Sequence, residues 1–171
     1  MVKVEGLGCL SDCILTKTKR AGKRKAIGGH FAVVASRYNA RYVDEMLRAA
    51  EGALKSARAD SIKVVRVPGA FEIPVVAARL ARANAPPLSA IVCLGVILRG
   101  ETTHAQNIAE AVSQALAQIQ IQTGIPIVHE VLLLENRHQA EVRCLGSEHN
   151  RGAEAAQTAL EMKRVIESLG R

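Results

Sequence analysis

Aromatic residues are nearly absent from this chain. It has no tryptophan, two tyrosines and two phenylalanines, at Phe31, Tyr38, Tyr42 and Phe71, so any ring that falls near a site carries weight. No apolar run reaches the roughly 18–20 residues of a membrane span. The first residues lack the charged start, apolar core and small-residue cleavage site of a secretory signal. The four cysteines, Cys9, Cys13, Cys93 and Cys144, form no Cys-x-x-Cys pair. A lone Cys-x₃-Cys spacing is a poor basis for a metal, and Cys93 inside an apolar run reads as a small hydrophobe. This is the pattern of a reduced, cytoplasmic protein. Nucleotide motifs are missing too: there is no G-x-G-x-x-G after the first strand and no G-x-x-x-x-G-K-[ST], which removes the dinucleotide and P-loop readings. His129-Glu130 has no second histidine at the spacing of a zinc helix, and no metal is expected.

Apolar residues make up 49% and charged residues 23% of the 171, enough for one domain with an ordinary core. The net charge of +7 is uneven: residues 1–28 carry seven Lys and Arg against Glu5 and Asp12. This stretch reads as a basic, solvated N-terminal extension to a domain of residues 29–171. An arm for nucleic acid is the rival reading. It is disfavoured because no aromatic interleaves the basic run to stack on bases.

Beyond Gly28-Gly29 the periodicity is regular. Phe31–Ala35 is a continuous apolar run of the kind buried on both faces of a parallel sheet. Val43, Leu47, Ala50 and Leu54 recur at helical spacing and predict a helix over about 41–58. Ile62–Val67 predicts a second strand, 72–83 a second helix ended before Pro86-Pro87, and Ala90–Leu94 a third strand. A third helix starts near His104, with Thr103 and Gln106 in the form of a capping box. Ile127–Leu133 is the fourth strand, followed by helices over about 136–144 and 152–169. This order predicts one three-layer α/β domain with a four-stranded parallel sheet and helices on both faces. The alanines of the last helix (Ala153, Ala155, Ala156, Ala159) suit close packing against a neighbouring subunit.

The loops after the strands open on one edge of such a sheet, where small anionic ligands bind. They carry Tyr38, then Ala70-Phe71-Glu72, then Gly95–His104, and later Arg143. Each has an ordinary reading alone: Tyr38 as a packing ring, Glu72 as a helix cap, His104 as a surface histidine, Arg143 as a solvated charge. Their convergence raises the functional reading of all.

Three segments together carry a resemblance: Val67-Pro-Gly-Ala-Phe-Glu-Ile-Pro74, Gly95-Val-Ile-Leu-Arg-Gly-Glu-Thr-Thr-His104, and Asn150-Arg-Gly-Ala-Glu-Ala-Ala156 with Ala159-Leu-Glu-Met162. From about Phe31 to Leu169 the chain resembles the 6,7-dimethyl-8-ribityllumazine synthase family, in the same element order. The resemblance implies a flavodoxin-like fold and a cofactor-free transferase of riboflavin biosynthesis. Its reaction condenses 5-amino-6-(D-ribitylamino)uracil with 3,4-dihydroxy-2-butanone 4-phosphate, giving 6,7-dimethyl-8-ribityllumazine, phosphate and water. It implies self-association into a pentamer, decamer or sixty-subunit shell, with sites between neighbouring subunits. On this resemblance Tyr38, Ala70, Phe71, Glu72, Val96, Ile97 and Leu98 bind the aminouracil and its ribityl chain, joined by His129 from an adjacent subunit. Glu101, Thr102 and Arg143 bind the phosphate, and His104 transfers protons. The chain departs from the family at Ala105, His129, Glu130, Leu133-Leu134 and Arg151, where aromatic, Phe, small, Thr-Thr and Lys residues are usual. Those departures leave open a lumazine-binding, flavin-binding or shell-forming homologue with weak or no catalysis.

Overall fold

The computed structural model describes residues 27–83, 86–146 and 149–170. Cys9, Cys13 and the basic run lie outside these residues. The described chain alternates strands and helices: β1 (His30–Ser36), α1 (Ala40–Ser56), β2 (Ser61–Val67), a single 3-10 turn (Ala70–Glu72), α2 (Ile73–Arg82), β3 (Ala90–Leu98), α3 (His104–Thr123), β4 (Ile127–Leu134), α4 (Arg137–Cys144) and α5 (Arg151–Leu169). The four strands form one parallel sheet in the order β2-β1-β3-β4, and the fold is the expected three-layer, flavodoxin-like one.

Side-chain alternation divides the core into two layers. Phe31, Val33 and Ala35 of β1 face α1 and α5. Ala32 and Val34 face the opposite way, onto α2 and α3. An apolar run without polar alternation is therefore what a strand covered on both faces requires. The chain leaves β1 toward β2 on one face and leaves β3 toward β4 on the other. That reversal places a crevice above the carboxyl ends of β1 and β3.

Three local expectations change. β3 runs four residues past Leu94, through Leu98, because its register with β4 continues to the Leu98–Leu134 pair. The predicted second helix divides into a 3-10 turn and α2, with Pro74 in the first turn, where its missing N–H costs nothing. The alanine face of α5 is not left for a neighbour. Ala155, Ala156 and Ala159 are buried within this chain, in the layer that also holds Met46 and Ala50 of α1. Cys93 and Cys144 are buried free thiols, and burial pushes Cys93 up to about 12 and Cys144 up to about 11, so both stay protonated hydrophobes near neutral pH.

Candidate active site

The crevice above β1 and β3 is an open cleft of about 590 Å³. Its floor is the end of β3, where Val96 and Ile97 are buried and Leu98 is half-buried. One wall is Tyr38 at the end of β1; another is the turn Gly69–Glu72; the third is Gly100, Thr102, His104, Ala105 and Ile108 at the start of α3. The distribution of aromatics is informative. Phe31 and Tyr42 are packed in the core, whereas Tyr38 is 72% and Phe71 61% exposed, and both line this cleft. A chain with four rings that leaves two bare in one concavity has formed a surface suited to a flat ligand.

Backbone geometry fixes these walls. Asn39, the residue before α1, has φ 57° and ψ 39°, a left-handed conformation that asparagine tolerates better than most residues. Its side-chain amide donates to the Val96 carbonyl at 2.7 Å, which ties the Tyr38 loop to the end of β3. The Tyr38 N–H donates to the Pro68 carbonyl at 3.0 Å, so the β1 and β2 loops also run together. One Glu72 oxygen accepts the Gly69 N–H at 2.8 Å, closing the 3-10 turn whose middle residue, Phe71, keeps its side chain exposed.

At the start of α3 the expected capping box is not made. Thr103 is already helical in backbone and its side chain makes no cap hydrogen bond. Gln106 instead accepts from Arg99 Nη2 at 3.1 Å and donates to Glu110 at 2.6 Å. The first-turn N–H groups of α3 are therefore uncapped by Thr103 and open beside the cleft, together with the exposed His104. Such an end attracts anions. Arg99 braces the loop from below, with its backbone N–H to the Leu134 carbonyl at 2.8 Å and Nε 2.9 Å from Glu135 Oε2. Asn39 and Arg99 are structural members of the site that sequence reasoning passed over. An asparagine directly before an amphipathic helix was the available signal for the first. For the second there was none, because its partners lie 7 and 36 residues away.

A model of the 6,7-dimethyl-8-ribityllumazine synthase family matches residues 28–167. Among curated relatives, the 6,7-dimethyl-8-ribityllumazine synthase of Xylella fastidiosa is 41% identical over 150 residues, 86% of this chain and 96% of that protein. The enzyme of the same name from Xanthomonas euvesicatoria pv. vesicatoria is 38% identical over 154 residues, 89% of this chain and 99% of that protein. The chain belongs to the 6,7-dimethyl-8-ribityllumazine synthase family.

Within this family member, one chain gathers nine of the twelve residues singled out from sequence: Tyr38, Ala70, Phe71, Glu72, Val96, Ile97, Leu98, Thr102 and His104. Glu101 is exposed on the same loop but outside the cleft lining. His129 on β4 and exposed Arg143 on α4 are not in the lining either. Among the described residues no lysine or arginine lines the cleft.

Two of the departures from the family pattern are partners of each other. Glu130 is 7% exposed on β4. Arg151, the first residue of α5, meets it with both prongs, Nε to Oε2 at 3.0 Å and Nη2 to Oε1 at 2.8 Å, and its third nitrogen donates to Glu154 at 2.7 Å. Burial pushes the Glu130 carboxyl above the usual carboxylate range, and the Arg151 guanidinium opposes that shift. A lysine has no planar fork for this carboxylate, so a buried glutamate at 130 goes with arginine at 151.

Arg151→Met should therefore cost about 3 kcal/mol by leaving a buried carboxylate unpaired. The double change Glu130→Leu with Arg151→Met should recover most of that loss. The deficit of the single variant should shrink as pH falls and the unpaired carboxyl takes up a proton, because the neutral acid is cheaper to bury. Urea unfolding of the three proteins at two pH values checks this; a double variant no more stable than the single one would show that the pair is not the cause.

Proposed function

We propose that the protein condenses 5-amino-6-(D-ribitylamino)uracil with 3,4-dihydroxy-2-butanone 4-phosphate to give 6,7-dimethyl-8-ribityllumazine, phosphate and water. On this reading it acts in the cytoplasm as a homo-oligomer, a pentamer or a multiple of one, in which a neighbouring copy closes each cleft. The observation that carries the reading is the make-up of the cleft: two exposed rings, a helix-terminal imidazole and, among the described residues, no cationic side chain in its lining. A phosphate needs a fixed cation as well as amide donors. Among the described residues no lysine or arginine lines the cleft and Arg143 lies outside it, which supports a cation supplied by a second copy.

The roles follow from position. Tyr38 and Phe71 flank the pyrimidine, with Val96, Ile97 and Leu98 against its edge. Ala70 and Glu72 meet the ribityl chain; among the described residues Glu72 has one oxygen engaged by Gly69 and the other without a partner, open to a hydroxyl. The backbone around Glu101 and Thr102 and the open first turn of α3 hold the phosphate from one side, and Arg143 of the neighbour from the other. His129 of the neighbour covers the ring.

The aminouracil is itself the nucleophile, so no cofactor is called for. Its amine attacks the ketone and water leaves as an imine forms. Phosphate is then eliminated, the enol left behind becomes a methyl ketone, and the ribityl-bearing nitrogen attacks that carbonyl and expels a second water as the second ring closes. Each step moves a proton, and an imidazole near neutrality serves in both directions. Holding two substrates in register supplies much of the acceleration.

The test is to mix the purified protein with both substrates and follow the fluorescence of the lumazine. His104→Ala should lower kcat by about 10- to 100-fold, at or below the low end for acid–base groups, because the positioning walls remain. No product above the uncatalysed rate from a folded wild type would sink the reading.

A further inference from the structure

His129 stands where a phenylalanine is usual, and the structure supplies a reason the exchange works. Its Nε2 lies 2.8 Å from the Ser113 hydroxyl on α3. That hydroxyl has one proton, which it donates to the Ala109 carbonyl at 2.7 Å, so towards His129 it can only accept. Nε2 therefore carries the ring proton. At the other edge of the ring, Nδ1 accepts the Val131 N–H at 3.4 Å. Both nitrogens thus have partners from the same chain, while the side chain remains exposed. What such an imidazole offers a ligand is its π face, as a phenyl ring does.

We propose that Ser113 is a positioning residue that holds His129 as a neutral, Nε2-protonated ring and so presents it as a flat apolar platform for the planar heterocycle of the substrate. The proposal rests on the functional reading above, in which His129 reaches the ring from a neighbouring copy. Ser113 touches no substrate; it acts through the imidazole. Without its hydroxyl, Nε2–H loses its fixed acceptor and has only solvent, so the ring is free to turn and the platform is lost or presents a polar edge.

Ser113→Ala is a mild change on an exposed helical position that favours the helix, so folding is not at risk. In ¹⁵N-labelled wild type at neutral pH, long-range proton–nitrogen spectra should show His129 as the Nε2–H tautomer. Ser113→Ala should erase that single-tautomer signature. The same variant should raise KM for the aminouracil about 5- to 10-fold, the scale of one lost charge-free hydrogen bond, with kcat and the KM for the phosphate substrate held within about twofold. Ser113→Thr, which keeps the hydroxyl, should restore both readouts. An Nδ1–H ring in the wild type, or a Ser113→Ala protein with unchanged KM, would overturn the proposal while leaving the condensation intact. Absence of turnover by the wild type would overturn the functional reading instead, with the tautomer still read independently.

Discussion

Gly152→Ala should abolish the native packing of α5 on α1. A Cβ built at Gly152 falls 1.9 Å from the Met46 carbonyl oxygen and 2.5 Å from its carbon. Both atoms belong to backbone in the middle of α1, so no side chain can rotate away and the helices must separate. They share one buried layer that also holds Phe31, Val33, Ala156 and Leu160, and parting them opens that layer. The expected cost exceeds about 4 kcal/mol, in the range reserved for core disruption. Gly52 is the control. It lies within α1 with nothing within 4 Å of its added Cβ, and Gly52→Ala should stabilise by about 0.5–1 kcal/mol through helix propensity. Thermal unfolding of the two alanine variants should give opposite shifts; a Gly152→Ala protein that unfolds at the wild-type temperature would refute the close crossing.

Arg143→Ala should lower kcat/KM for the phosphate substrate by about 100-fold or more, the loss expected when a charge-assisted phosphate contact disappears from a transition state that releases phosphate. Its fold should be unchanged, since the side chain is exposed and in no ion pair among the described residues. The distinguishing result comes from mixing. Co-assembling Arg143→Ala subunits with His104→Ala subunits in equal amounts should restore up to about a quarter of wild-type activity, because in a head-to-tail ring one junction in four pairs an intact His104 with a neighbour's intact Arg143. If Arg143 served its own chain's cleft, mixing would restore nothing, because each subunit would carry one lesion into its own site.

Much of this was legible in one dimension, and specific residues show why. The run Phe31–Ala35 announced a doubly covered strand, since only a parallel strand between two helix layers has no polar alternation. Val43, Leu47, Ala50 and Leu54 marked α1 through their period. The segments around Phe71 and His104 stood out because they join strand ends to helix starts. Other features depended on contacts distant in sequence. The last four residues of β3 look like loop from their neighbours; only pairing with Val131–Leu134 keeps them extended. Thr103 and Gln106 have capping-box form, yet Arg99 and Glu110 claim the glutamine. Glu130 and Arg151 read as two separate departures, and 21 residues of chain hide that they are one ion pair.

By itself the sequence determined the kind of domain, the order of its elements, the family and the loops proposed to carry the chemistry, because hydrophobic period and strand-end loop composition are local properties. The tertiary structure alone decided which of those loops share a concavity. It left Tyr38 and Phe71 bare in the same cleft, neutralised Glu130 with Arg151, set both nitrogens of His129 against partners of its own chain, and kept Arg143 out of the cleft. Those outcomes depend on strand order and helix crossing, which bring together residues that local pattern cannot relate.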